Sequence, residues 1–124
     1  MHEYPATMAI IEIAERHARQ HGASGVSVIK LVVGENSGYL PECIEMYFDI
    51  IAGEGACKGA RLEFERVKPL LRCRKCGKNF ARKPFEFTCP EDGCGGEGGP
   101  TDIGREFFVK SIEIGAVGTI ENPL

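Results

Sequence analysis

No stretch of this 124-residue chain is apolar for long enough to span a bilayer, and no basic-then-apolar leader opens it. A soluble, cytoplasmic protein with no membrane partner is the expectation. Strong charge of either sign is also missing: 15 basic against 18 acidic residues leave −3 at pH 7, with a pI near 5.6. Such a balance argues against a general binder of polyanions. Tryptophan is absent and aromatics make up 8% of the chain, with no clear set for stacking bases. No nucleophile–base pair and no metal site with an open position emerges, so the chain does not read as an enzyme. His17 and His21 stand one helical turn apart, but no Glu follows His17, which removes the zinc-peptidase pattern. Two side chains favoured near a helix C-terminus account for them better.

What is present fits one ordinary domain, or a small domain carrying a smaller insert. At 43% hydrophobic the chain can bury a core, while its 16 glycines call for tight turns and loops. From Ala6 to His21 the apolar positions Met8, Ile11, Ala14 and Ala18, widened by Ile10 and Ile13, follow a helical stripe. Pro5 suits a first turn and Gly22 a C-terminal stop. Val26 to Gly34 is rich in β-branched residues and reads as a strand. After the loop ENSGYL, a second helix from Pro41 to about Ala52 is expected to bury Ile44, Tyr47, Phe48 and Ile51. Ala60 to Val67 returns to alternation, so strand, helix, strand predicts a right-handed crossover with the two strands parallel. Arg105 to Ile114 alternates as a third strand, and 115–124 read as a loose tail. The expected fold is α/β (α+β): a small mixed three-stranded sheet with two helices, plus an inserted zinc-ribbon-like domain. The α/β domain takes residues 1–68 and 104–124, and the insert 69–103.

The insert is where chemistry concentrates. Six cysteines in a secreted chain would suggest disulfides, but four of these form two close pairs, and metal is the better reading. Cys73-Arg-Lys-Cys76 and Cys89-Pro-Glu-Asp-Gly-Cys94 lie twelve residues apart, the spacing of a four-thiolate Zn(II) site. Each pair makes a turn aiming two sulfurs at one point, and a short hairpin from Phe80 to Phe87 brings the pairs together. Four thiolates leave no place for water, so the zinc reads as structural, supplying the folding free energy that so small a segment lacks. Cys43 and Cys57 stand alone and read as small buried apolar side chains.

Between Arg66 and Pro84 come Arg66, Lys68, Arg72, Arg74, Lys75, Lys78, Arg82 and Lys83 without one acid. This run supports a competing reading, a zinc-ribbon nucleic-acid-binding or transcription-related module. Against it, a four-thiolate centre is negative and needs neighbouring cations. No nucleic-acid partner is expected.

The chain opens Met1-His2-Glu3. A terminal amine, the deprotonated His2 amide and the His2 imidazole close a five- and a six-membered chelate ring around one ion. Three nitrogens then share a plane, as square-planar Ni(II) or Cu(II) prefers. Glu3 is a further candidate ligand. This tripeptide sits at the foot of the first helix, tethered to it and not buried by it.

Taken together, the Met-His-Glu opening, the helix after it, VVGENSG, Tyr47-Phe48-Asp49, the paired cysteines and GREFFVKSIEI resemble the HypA/HybF family. These are nickel metallochaperones of NiFe-hydrogenase maturation, and the resemblance runs to about Ile114. It implies Ni(II) held by the Met1 amine and His2, with Glu3 matching the acid that follows. It also implies Zn(II) held by Cys73, Cys76, Cys89 and Cys94. The partners implied are a HypB-type GTPase, the hydrogenase large-subunit precursor and, in some organisms, urease maturation proteins; a homodimer is admitted. Two departures stand out. Four residues, Pro90 to Gly93, separate the second pair where the family usually has two. Leu40 stands where the family often places a carboxylate, with Glu42 the nearest acid.

Overall fold

The structure, a computed structural model, describes residues 2–115 and 118–121. Its elements in chain order are α1 (Glu3–Gln20), β1 (Val28–Gly34), α2 (Pro41–Ile51), β2 (Arg61–Val67), β3 (Leu70–Cys73), β4 (Asn79–Ala81), β5 (Gly98–Pro100), β6 (Phe107–Ile114) and β7 (Gly118–Glu121).

β1 is buried at six of its seven positions and runs through the middle of the larger sheet, whose order is β2-β1-β6-β7. β1 and β2 are parallel, as strand, helix, strand requires, and β6 returns antiparallel on the other side of β1. Alternation sorts the faces of β1. Ile29, Leu31 and Val33 join Ile10, Ile11, Ala14 and Ala18 of α1 and Ile44 and Phe48 of α2 in one core. Each fully buried aliphatic side chain there contributes about 1.5–3 kcal/mol. The opposite face carries surface ion pairs, Lys30–Glu63 and Lys110–Glu65.

Five expectations change, one of them in α2, where Ile44 and Phe48 are buried as expected but Tyr47 and Ile51 are only half-buried. The first helix begins at Glu3 rather than Ala6, so Glu3 lies in its first turn and is buried, not merely tethered. Met8 is half exposed, because the stripe is wider than the face that α1 buries; Ile10, Ile11, Ala14 and Ala18 are its buried members. Cys57 is fully buried as expected, whereas Cys43, in the first turn of α2, is only half-buried. The tail contains a strand: β7 pairs antiparallel with β6, so the sheet has four strands where three were expected.

The C-terminus of α1 is closed by the Ala23 N–H on Ala18 O at 2.9 Å and the Gly22 N–H on Arg19 O at 3.0 Å. This pair of bonds is the expected glycine-ended stop. At the start of α2, Leu40 has no side chain able to cap the helix. A carboxylate oxygen of Glu3 accepts the Leu40 N–H instead, at 3.3 Å. The first turn of α1 thereby caps α2, with negative charge where the helix dipole favours it.

The second sheet, β4-β3-β5, grows from the end of the first. Its root is a backbone crossing. The Asn36 N–H donates to Gly104 O at 2.7 Å, and the Glu35 N–H to Val67 O at 2.9 Å. A Cβ on Gly34 would land on the Gly104 carbonyl, and one on Gly104 would come within 2.6 Å of Pro69 Cα. No side-chain rotation relieves a clash between backbones. Gly34→Ala is therefore expected to cost about 1–3 kcal/mol as overpacking, read as a lower urea midpoint with an unchanged slope. An unshifted midpoint would mean the crossing is looser than described.

Burial, and next the charge of Glu15, push the Cys57 thiol up to about 12. In folded, metal-free protein, iodoacetamide at pH 8 is expected to spare Cys57 while it modifies the exposed Cys76. Peptide mass spectrometry showing equal rates at the two would contradict this packing.

Candidate metal centres

The cysteine ribbon is built from two knuckles. β3 and β4 form the first hairpin, with Cys73 and Cys76 in its turn, where the Cys73 N–H bonds Lys78 O at 2.8 Å and the Gly77 N–H bonds Cys73 O at 3.0 Å. The second knuckle closes through the bridge Thr88–Glu97 and the Cys89 N–H on Gly96 O at 2.8 Å. β5 then pairs with β3, which presses the knuckles together. The expected hairpin from Phe80 to Phe87 is present as a tight turn with one bridge, Lys83–Glu86.

All four sulfurs lie within 4.8 Å of one another. Cys73 and Cys94 are 3.5 Å apart, and Cys76 and Cys89 3.7 Å. A tetrahedron with metal–sulfur bonds of about 2.3 Å has edges of about 3.8 Å, so the donor set fits one tetrahedral ion. Backbone N–H groups of Lys75 and Cys76 point at the Cys73 sulfur at 3.3 and 3.4 Å. The Cys76 N–H, then that of Lys75, outweigh partial burial and hold the Cys73 thiol down to about 6. At Cys89 the Glu91 N–H favours the thiolate, but burial and the neighbouring sulfurs prevail and push it up to about 12. Four thiols this close cannot all lose protons without a cation among them. A bound divalent ion removes that conflict.

Residues beyond the cysteines complete this centre. Lys78 bridges the knuckles through Glu91 at 2.9 Å, and the Lys75 ammonium reaches Cys94 O at 3.1 Å. Gly96 is buried against the sulfurs, and a Cβ there would come within 2.7 Å of that of Lys75. The only sequence signal for it was the glycine-rich run 93–99. The basic stretch is also largely occupied. Arg66 pairs with Glu42 at 2.7 Å, Arg72 with Asn79 at 3.1 Å, and Arg82 lies over the Phe87 ring.

The other predicted site lies at the start of α1. Met1 falls outside the described residues, and so does its amine. His2 and Glu3 both meet the loop that precedes α2. His2 Nε2 lies 3.1 Å from Gly38 O, and its ring meets Tyr39 edge to face at 5.1 Å. Tyr39 in turn stacks on Phe107 of β6 at 4.0 Å. Sequence separations of 36 to 68 residues carry no periodic signal, so Gly38, Tyr39 and Phe107 went unnoticed in the sequence. Glu42 is not free for this site. Its hydrogen bond from Arg66 holds its carboxyl below the usual range.

His17 and His21 are not brought near this terminus; fifteen residues of helix, about 22 Å, separate His17 from His2. His21 Nδ1 bonds His17 O at 2.9 Å, while His17 Nε2 is buried without a partner. Among the described residues, the four cysteines are the cluster of three or more His, Cys, Asp and Glu groups able to hold one ion. No helix among them is long and apolar enough to cross a membrane.

Comparison with known proteins agrees with this architecture. Residues 1–114 match the family described as hydrogenase/urease nickel incorporation, metallochaperone, hypA. The hydrogenase maturation factor HypA of Caldanaerobacter subterraneus subsp. tengcongensis is 35% identical over 115 residues, covering 92% of this chain and 99% of the relative. That of Geotalea uraniireducens is 37% identical over 114 residues, covering 92% and 99%. Among solved structures, a solution structure of HypA protein superposes with a TM-score of 0.69 at 26% identity, covering 94% of this chain and 98% of the other. The nickel metallochaperone HypA from Helicobacter pylori does so with 0.60 at 26%, covering 92% and 97%. With a match that spans both the helices and the cysteine ribbon, the chain belongs to the HypA family of nickel metallochaperones of hydrogenase maturation, and not to a family of enzymes.

Proposed function

We propose that this chain carries Ni(II) at its amino terminus and delivers it for NiFe-hydrogenase maturation, with urease as a second client class, while a resident Zn(II) holds the cysteine ribbon. The observation that carries the nickel reading is the docking of both His2 and Glu3 on residues 38–40. A terminus left to solvent would need no such seat. The Met1 amine, the His2 amide and the His2 imidazole supply three nitrogens; Glu3 is one candidate for the fourth position, although its carboxylate also accepts the Leu40 N–H, and Glu42 is engaged by Arg66. A nitrogen-rich plane selects Ni(II) over Mg(II) or Mn(II) by ligand type, but not over Cu(II). Discrimination against copper therefore rests on metal availability and on partner contacts. A site at a chain end can hand its ion on. The receiving partners are a HypB-type GTPase and the hydrogenase large-subunit precursor, in the cytoplasm.

Cys73, Cys76, Cys89 and Cys94 are the zinc ligands in this reading. Zinc supplies a closed, redox-inert cross-link, and the N–H groups of Lys75 and Cys76 together with the Lys75 and Lys78 ammoniums offset its thiolate charge. Residues 69–103 act as a zinc-held unit on a body of 1–68 and 104–124. Engagement of the basic residues within the protein favours this over nucleic-acid binding.

Two outcomes test the pair of sites. Cys73→Ala is expected to drop zinc from one equivalent per chain to none and to unfold the ribbon, while amide protection in β1 and β6 persists. A full equivalent retained by that variant would overturn the ligand assignment.

At the terminus, His2→Ala and N-terminal acetylation should each abolish tight nickel binding and leave zinc in place. An added N-terminal residue, which moves the imidazole to position 3, should still bind nickel in a more closed four-nitrogen site yet fail to transfer it. Binding must displace protons from amine, amide and imidazole, so nickel occupancy should fall as pH drops. Undiminished binding and delivery by acetylated protein would place the site elsewhere.

A further inference from the structure

The loop before α2 does more to His2 than give it a seat. Of the two imidazole nitrogens, only Nδ1 can close a six-membered ring with the residue's own amide nitrogen around one ion; Nε2 lies too far along the ring. A carbonyl oxygen accepts hydrogen bonds and never donates. The 3.1 Å contact between His2 Nε2 and Gly38 O therefore requires the proton on Nε2. In the neutral ring that leaves Nδ1 with its lone pair bare.

His2 is exposed, so water competes for that bond. The ring is also held from the side, by Tyr39 edge to face at 5.1 Å and 71°. Tyr39 is itself immobilised on Phe107, with centroids 4.0 Å apart and planes 18° apart. Phe107 belongs to β6, hydrogen-bonded to the central strand. The orientation of an exposed imidazole is thus referred back to the sheet through two aromatic rings. Gly38 presents its carbonyl from a backbone with φ of +87°, a conformation that side chains resist.

We propose that Tyr39, seated on Phe107, is a positioning residue for nickel capture, which together with the Gly38 carbonyl holds the His2 ring with its proton on Nε2 and Nδ1 presented as the ligand. This rests on the nickel reading of the terminus. A hydrogen bond to the non-ligating nitrogen of a histidine also raises the basicity of the ligating one, and loss of such a partner typically costs ten- to a hundredfold in metal affinity.

The test compares wild type with Tyr39→Phe, which keeps the ring, and Tyr39→Leu, which keeps apolar bulk without it. In 15N-labelled, nickel-free protein at alkaline pH, long-range 1H–15N spectra report which His2 nitrogen bears the proton. The ring-current shift on its C–H protons reports whether Tyr39 holds it. Wild type and Tyr39→Phe should show a single Nε2–H form with shifted ring protons; Tyr39→Leu should lose the shift and mix tautomers. Nickel affinity by calorimetry should fall about tenfold in Tyr39→Leu and less than about twofold in Tyr39→Phe, with zinc content equal in all three. Should Tyr39→Leu not fold, an Nδ1–H form or unshifted ring protons in wild type would still overturn the proposal. An Nδ1–H form in wild type that binds nickel through His2, or equal affinity in all three proteins, would overturn the proposal. Nickel binding in wild type that ignores His2→Ala would instead sink the nickel reading beneath it.

Discussion

Both candidate metal centres of this molecule hang from the end of one strand. β1 is buried along almost its whole length and hydrogen-bonded on both edges, which leaves it no freedom to shift. At Gly34 that rigidity is spent in two directions. Onward runs the loop that receives His2 and Glu3. Alongside, the backbone of Gly34 meets Gly104, where the chain leaves the ribbon, and Gly104 meets Pro69, where it enters. A single bulky residue at this point would disturb the seat of the terminus and the root of the ribbon together.

The charge pattern acquires a local explanation in the fold. Eight basic residues without an acid between Arg66 and Pro84 look, as a string, like a surface for polyanions. In three dimensions several of them have work within the chain. Lys75 and Lys78 tie the two knuckles around the sulfurs, and Arg66 of β2 binds Glu42 of α2 within the body. Exposed ion pairs of this kind add little to stability one by one. Lys75 and Lys78 differ from Arg66 in lying beside the place where four sulfurs converge, where a cation offsets thiolate charge.

Local chemistry was legible in the sequence, and distant contact was not. The spacing of Cys73, Cys76, Cys89 and Cys94 announces convergence because a turn of two to four residues can hardly do otherwise. β1 and β2 were readable from β-branched content and alternation, and their parallel pairing from the helix between them. β7 escaped because four residues are too few for any period to show, and it gains its order from the free edge of β6. Met8 misled because helical periodicity reports a stripe without saying how wide the opposing surface is. The burial of Glu3 escaped for a different reason. It caps a helix 37 residues away, and a polar residue recruited by a leucine that cannot cap leaves no mark in the sequence around either.

The order of strands also bears on how this chain assembles as it is made. β2 follows β1 in the chain after one helix, whereas the partner for the second edge of β1, β6, is made only after the whole ribbon. Closing that gap as a loose coil of about forty residues costs about 1.5–2 kcal/mol more than closing it through a pre-folded stub a few residues across, by the logarithmic dependence of loop entropy. Cysteines that gather around their ion before the last strand emerges would therefore shorten the path by which the main sheet completes itself. A metal centre remote from the core would in that way act as a tether for it, and starvation of the ribbon would be felt as exposed strand edge on a nascent chain.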